Sequence, residues 1–157
     1  MTTYVFDTGP FILLFRHYYP KRFPSLWEQF HEMVAGGRIT STREVYNELE
    51  GQEDALSNWC KANREVFGTP TTEQLDVVKK ILEINHFRAL ISKQKTLQGK
   101  PVADPFVIAL AKCLENSCVV TSETKRDNAA KIPNVCEHFK VYSTNLEGFM
   151  EREDWRF

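Results

Sequence analysis

The fold of this chain is decided by the stretch Thr3-Tyr4-Val5-Phe6-Asp7-Thr8-Gly9-Pro10, which lies close to its start. The three residues before Asp7 favour a β-strand, and Gly9 and Pro10 then break the strand and can begin a helix. Asp7 is therefore expected at the carboxyl end of a strand, where ligands bind in an open parallel α/β sheet. Two interpretations stay open at this point. Asp7 takes part in chemistry or metal binding, or it only caps the helix that begins near Pro10.

The composition of the chain is that of a globular protein. Apolar residues make up 42% of its 157 residues and charged residues 26%, and a chain of this length can bury a core without disulfides. We therefore expect one domain that covers residues 1–157. The formal net charge is -1, so a global positive field that would hold nucleic acid is excluded. Any nucleic-acid surface must be local.

The cysteines and histidines show neither a metal-binding nor a disulfide pattern. The 4 cysteines are scattered without a C-x-x-C pair, and the 4 histidines lack metal-type spacing. Such cysteines predict reduced, mostly buried thiols and a cytoplasmic protein. The first residues lack a basic region, and Asp7 interrupts the apolar run from Val5 to Phe15. The sequence therefore predicts neither a signal peptide nor a membrane span.

Short apolar strands alternate with helices along the rest of the chain. Further β-prone runs occur at 38–40, 118–121 and 141–142, and helical periodicity is clear over 26–34, 75–90 and 107–114. This alternation predicts an α/β fold in which a short parallel sheet is flanked by helices on both faces. The segment 132–136 is expected to be irregular.

Two further acids belong to predicted helices, one beside an apolar face and one at a helix start. The segment Ser41-Thr42-Arg43-Glu44 has the S-x-x-E form of a capping box and predicts a helix on which Glu48 lies beside the apolar face. A solvated glutamate is the alternative for Glu48. Asp104 precedes Pro105 at the start of a strongly apolar helix, and this dipeptide is also a common helix start by itself.

A second strand end carries an acid as well. The run Cys118-Val119-Val120-Thr121 predicts a buried strand, and Glu123 follows it much as Asp7 follows the first strand. Carboxyl ends of parallel strands meet at one edge of a sheet. The candidates for one shared acidic site are therefore Asp7, Glu48, Asp104 and Glu123.

The order and spacing of these acids resemble those of the PIN domain nucleases. In that family the site combines an Asp after the first strand, a helical Glu, an Asp that opens a later helix, and an acid after a T-x-[DE] strand end. The matching segments here are 5–8, 44–49, 103–111 and 119–123. The segments around Trp27-Glu28 and 131–136 (Lys-Ile-Pro-Asn-Val-Cys) look closest to one uncharacterised branch. Two departures from the commoner toxin pattern are Gly9, where Ser or Asn often follows Asp-Thr, and Glu123 in place of Asp.

The resemblance implies a site for Mg²⁺ or Mn²⁺. Crowded carboxylates repel one another unless a divalent cation neutralises them, and both ions prefer oxygen ligands. Asp7 and Asp104 are expected to be the principal ligands, directly or through water. The residues expected to complete the cage, orient water or support it by hydrogen bonds are Glu48, Glu123, Thr8 and Thr121, with Asp127 as a less favoured substitute for Glu123.

The same resemblance implies a metal-dependent endoribonuclease that hydrolyses RNA phosphodiester bonds, acting as the toxin of a prokaryotic toxin-antitoxin pair. A protein antitoxin and a homodimer are the partners that the family implies. The residues expected to receive the RNA backbone are Lys93, Lys95, Lys100, Lys125 and Arg126.

Two other functions remain open from the sequence. One is a catalytically silent PIN-like module that binds RNA or protein, with its acids serving only as caps and surface charges. The other is a phosphatase that uses Asp7 as phosphoryl acceptor. The second function predicts another acid two residues further on, and that position is Gly9.

Overall fold

The structure is a computed structural model that describes residues 1–51, 54–90 and 102–157. Strands and helices alternate along the chain, as the sequence predicts. The strands are β1 (Thr3–Phe6), β2 (Ile39–Thr42), β3 (Phe67–Gly68), β4 (Ser117–Val120) and β5 (Tyr142–Thr144). The α-helices are α1 (Thr8–His17), α2 (Pro24–Ala35), α3 (Arg43–Leu49), α4 (Ala55–Ala62), α5 (Thr72–Glu83), α6 (Asp104–Cys113), α7 (Ile132–His138) and α8 (Leu146–Arg152). Two 3₁₀ segments lie at Arg64–Val66 and Asn85–Leu90.

The strands form one parallel sheet in the order β3-β2-β1-β4-β5. From β1 the chain moves outward through β2 to β3, and it then crosses back to β4 on the other side of β1. The direction of winding therefore reverses between β1 and β4. In an open parallel sheet this reversal leaves a crevice at the carboxyl ends of the two strands, which is the usual place for a ligand. The predicted α/β fold with a parallel sheet is confirmed.

Strand β1 is buried on both sides because helices cover the two faces of the sheet. Tyr4 and Phe6 point to one face, where their rings lie 4.7 Å and 5.2 Å from that of Phe149 on α8, and Phe6 also meets Phe30 on α2. Val5 points to the opposite face by the alternation of a strand and is fully buried. Helix α6 contacts β1 and β2 and packs against α5 and α7.

Two local expectations differ from the structure, and one strand was not expected. The segment 132–136 is helical and forms most of α7, because Pro133 lies in the first turn, where proline is tolerated. The short strand β3 was not predicted. The capping box at Ser41 is wrong: α3 begins at Arg43, and the Ser41 hydroxyl donates instead to the backbone oxygen of Phe6 at 2.6 Å. Here a contact between neighbouring strands displaces the local cap.

The cysteines are free thiols, as expected, and Cys60, Cys118 and Cys136 are buried while Cys113 is exposed. Burial raises the pKa of Cys60 and of Cys136 to about 12, which leaves both protonated and poorly nucleophilic at neutral pH. Within the part of the chain that the structure describes, no helix has both the length and the apolar character needed to cross a bilayer.

Candidate active site

Asp7 and Thr121 lie side by side at the crevice between β1 and β4. Asp7 directly follows β1, and its backbone N–H donates to the oxygen of Val120 at 2.9 Å. Thr121 directly follows β4, and its hydroxyl Oγ1 donates to Oδ2 of Asp7 at 3.1 Å. The continued strand pairing thus aligns the two side chains, and the hydroxyl holds the carboxylate in one orientation.

The carboxyl group of Asp7 is buried, with 7% of the residue exposed. Its pKa is raised from 3.8 to about 6, mainly by burial and to a smaller extent by the charges of Glu48 and Glu123. The Thr8 amide and the Thr121 hydroxyl act in the opposite direction, because they stabilise the ionised form. Asp7 occupies the N-cap position of α1 without the side-chain hydrogen bond that a cap makes. Capping therefore does not account for this acid.

Glu48 joins the starts of two helices. Its Oε2 accepts a hydrogen bond from the Thr8 hydroxyl at 2.5 Å, and its Oε1 accepts one from the backbone N–H of Ala103 at 3.1 Å. Thr8 is the first residue of α1, and Ala103 immediately precedes α6. Glu48 is thus not a solvated surface acid.

Asp104 is the first residue of α6, and Pro105 follows it. Ala103 occupies the cap position, so Asp104 lies inside the first turn and is not the N-cap itself. Asp104 is half-buried and directly follows Ala103, whose amide bonds Glu48. The chain therefore places the backbone of Asp104 next to Glu48, while the acids whose charges act on Asp7 are Glu48 and Glu123.

Glu123 closes the other side of the crevice. Its backbone N–H donates to Thr121 Oγ1 at 3.2 Å, so one hydroxyl connects Asp7 to the loop that carries Glu123. Glu123 Oε2 accepts from the backbone N–H of Ile132 at 2.7 Å, at the first residue of α7. Asp127, the substitute considered for this acid, is exposed, and its charge acts on Lys125. Of Glu123 and Asp127, it is Glu123 whose charge acts on Asp7.

The donor set suits a hard divalent cation held by few protein ligands. Asp7, Glu48 and Glu123 are close enough for their charges to interact, and their oxygen atoms match the preference of Mg²⁺ and Mn²⁺. Among the described residues, no group of three or more His, Cys, Asp or Glu side chains is arranged to hold an ion together. Mg²⁺ commonly uses one or two carboxylates and completes its shell with water and substrate phosphate. The residues fit that mode and do not form a closed cage.

Gly9 is explained by a close approach that sequence analysis missed. A methyl group at Gly9 would lie 2.6 Å from Oγ and 2.9 Å from Cβ of Ser122, so the loop after β4 packs directly on the start of α1. No larger side chain fits there without movement of that loop. This contact also leaves no room for the second acid that a phosphatase using Asp7 as phosphoryl acceptor would need.

We expect Gly9→Ala to destabilise the protein by about 1–3 kcal/mol, which is typical of overpacking a close contact. Gly68→Ala is the matched control, because no atom lies within 4 Å of the added methyl group. Urea unfolding of both variants checks this prediction, and adding Ser122→Gly should restore most of the loss. Equal stability of the two alanine variants would show that the predicted crowding at Gly9 is absent.

The structure describes two of the five residues that were expected to bind the RNA backbone. Lys125 forms an ion pair with Glu137 at 2.5 Å, and both side chains are more than half exposed, at 53% and 64%. Arg126 is exposed, and its backbone oxygen accepts from the Asn134 side chain. Lys93, Lys95 and Lys100 lie outside the described residues. The predicted contact of these three lysines with RNA therefore stays a prediction.

The fold and the site define an α/β protein with an acidic crevice at the point where a parallel sheet reverses its winding. The chain belongs to the family described as Domain of unknown function (DUF4411), whose model matches residues 4–157. No match was found among curated proteins or among solved structures.

Proposed function

We propose that this protein is a metal-dependent endoribonuclease that hydrolyses RNA phosphodiester bonds at the Asp7 crevice. The observation that carries the proposal is a buried carboxylate at the topological switch point, with two further carboxylates close enough to act on it. Burying a charge beside like charges costs stability, and proteins retain such groups mainly at functional sites. The similarity of the four acidic segments to PIN domain nucleases supports the choice of reaction.

A bound Mg²⁺ or Mn²⁺ would be held by Asp7 with Asp104, and by Glu48 and Glu123 directly or through water. When bound, such an ion would supply Lewis-acid chemistry for a phosphate and for an attacking water. Asp7 contributes an ionised, oriented oxygen, which the Thr121 hydroxyl keeps in place. The hydrogen bonds of Glu48 and Glu123 to backbone N–H groups anchor these acids to the starts of α6 and α7.

The test is cleavage of a mixed pool of structured and unstructured RNAs with Mn²⁺ or Mg²⁺, compared with the same reaction in EDTA. The proposal predicts products that require the metal and are absent in EDTA. Products that persist in EDTA would contradict a metal-dependent mechanism. RNA that binds but stays intact with either metal would favour the silent binding module.

Replacing Thr121 tests whether its hydroxyl orients the site. Thr121→Val keeps the side-chain volume but removes the bonds to Asp7 and to the Glu123 amide. We expect cleavage to fall roughly 10–100-fold, the range for residues that orient metal ligands. Thr121→Ser is the matched control and should stay close to wild type. If the two variants lose equal activity, the hydroxyl has no orienting role.

The PIN resemblance extends the proposal to a toxin of a prokaryotic toxin-antitoxin pair, with a protein antitoxin and a homodimer as partners. Growth arrest on expression in a bacterium, relieved by Asp7→Asn, would support this role. Undisturbed growth under wild-type expression at a level that yields active nuclease would argue against it.

A second candidate is the catalytically silent PIN-like module that binds RNA or protein. One observation favours it: Glu48 and Glu123 each accept a backbone N–H at a helix start, which is a structural use of an acid. Asp7 also receives the backbone N–H of Thr8 at the start of α1, but it makes no side-chain N-cap bond and its pKa is still raised. The two candidates therefore differ in the role of Asp7.

A further inference from the structure

A cavity of about 370 Å³ opens beside the acidic crevice. Thr8 and Glu48 are among its lining residues, so the cavity adjoins the candidate active site. Its volume lies within the range of cavities that bind small ligands. Arg16 lines the same cavity and is exposed.

Helix α1 contributes four of the side chains that line this cavity. Thr8, Ile12, Phe15 and Arg16 all line it, and their spacing places them on one face of the helix. Helical side chains lean toward the N-terminus of their helix, which is the direction from Arg16 to Thr8. The helix therefore places a cation in the same cavity that Glu48 lines.

The carboxylates that share the cavity do not neutralise Arg16. Glu48 accepts from Thr8 and Ala103, and Asp54 accepts from the Ser57 N–H at 2.8 Å as the cap of α4. Among the described residues, neither carboxylate comes within ion-pair distance of the Arg16 guanidinium, and the ion pairs that the described residues form involve Arg38, Arg43, Lys125 and Arg156. Its N–H donors are therefore available to an anion from solution.

The remaining walls are apolar. Ile12, Phe15, Leu49 and Leu56 contribute to them. A nucleotide combines these two chemistries, since it carries an anionic phosphate and a flat, largely apolar base. Arginine binds phosphate through paired N–H donors, while a base gains from contact with apolar side chains.

We propose that this cavity is a nucleotide subsite for the RNA strand, in which Arg16 binds a backbone phosphate beside the scissile one and the apolar wall contacts the adjoining base. This inference rests on the proposed nuclease function. It assigns Arg16 a role in substrate binding and none in the chemical step.

The test is the effect of Arg16→Gln on cleavage of a short oligouridylate. KM should rise about tenfold with kcat nearly unchanged, because a contact outside the chemical step contributes equally to substrate and transition state. Arg16→Lys should recover part of the loss, since a lysine supplies charge but not paired donors. The matched control is Arg22→Gln, which removes an exposed arginine outside the cavity and should leave KM unchanged.

Binding of the same oligonucleotide to the Asp7→Asn protein separates the two proposals. Weaker binding after Arg16→Gln, with a smaller dependence on salt, supports the subsite even if wild type cleaves nothing. Active cleavage by wild type with an unchanged KM in Arg16→Gln would overturn the subsite and leave the nuclease intact. An equal loss in Arg22→Gln would also overturn it, because the effect would then be one of overall charge.

Discussion

Asp7→Asn is expected to raise the free energy of unfolding by about 3 kcal/mol at pH 8 in metal-free buffer. A pKa of about 6 against an ordinary value of 3.8 means that the fold disfavours the ionised carboxylate by about this amount. The amide is similar in shape, carries no charge and can still accept the hydrogen bond from Thr121. For a chain of this size the gain corresponds to roughly 6–12 °C in Tm.

The pH dependence gives the sign of this effect. The folded protein binds the Asp7 proton more tightly than the unfolded chain, so this group stabilises the fold below about pH 4. That stability is lost as the pH rises from about 4 to about 6. Urea unfolding at pH 4, 6 and 8 in EDTA should therefore show a difference between wild type and Asp7→Asn that is small at pH 4 and nearly full above pH 6.

The control for this prediction is Asp127→Asn, which makes the same chemical change at an exposed site. Its stability should follow that of wild type within about 0.5 kcal/mol at every pH, as surface substitutions usually do. If Asp7→Asn is instead less stable than wild type at pH 8, the ionised carboxylate has a stabilising structural role and the main support for a functional site is lost.

Asp7→Asn is also expected to reduce RNA cleavage by at least about a hundredfold. Loss of residues that merely orient metal ligands costs about 10–100-fold, and loss of a principal ligand should cost no less. The variant would then be more stable and less active than wild type, which is the trade-off expected where an active site holds an unfavourable charge. Cleavage rates under single-turnover conditions with saturating Mn²⁺ measure the effect.

Asp127→Asn again serves as the control and should keep its rate within about twofold of wild type, because its charge acts on the surface residue Lys125. Metal-dependent cleavage by Asp7→Asn at the wild-type rate would show that the reaction does not take place at Asp7. A parallel loss in both variants would indicate an effect of net charge on RNA binding.

Much of the fold could be predicted because its signals are local. The run from Tyr4 to Phe6 and the run from Cys118 to Val120 are short, apolar and followed by polar residues, which is how buried parallel strands read in sequence. Helix α7 was missed because Pro133 suggested a break, although proline suits a first turn. The capping box failed because Ser41 prefers a partner on the neighbouring strand, and no local pattern reports that partner.

In the candidate site, too, local sequence signals identify the residues but not their contacts with distant segments. The acids could be found from the sequence because Asp7 and Glu123 each follow a strand that ends at the ligand-binding edge. Their partners depend on the packing of distant segments. The contact of Gly9 with Ser122, the bond of Glu48 to the Ala103 amide and the bond of Glu123 to Ile132 each join segments that come together only in the folded chain.

Binding of Mn²⁺ to wild type and to Asp7→Asn tests directly whether Asp7 is a metal ligand. The free ion has an electron paramagnetic resonance signal that decreases as it binds, so a titration at pH 8 without RNA gives the affinity of each protein. We predict that wild type binds Mn²⁺ and that Asp7→Asn binds it at least about tenfold more weakly. Equal affinities, or no binding by wild type, would contradict the assignment of Asp7 as a metal ligand.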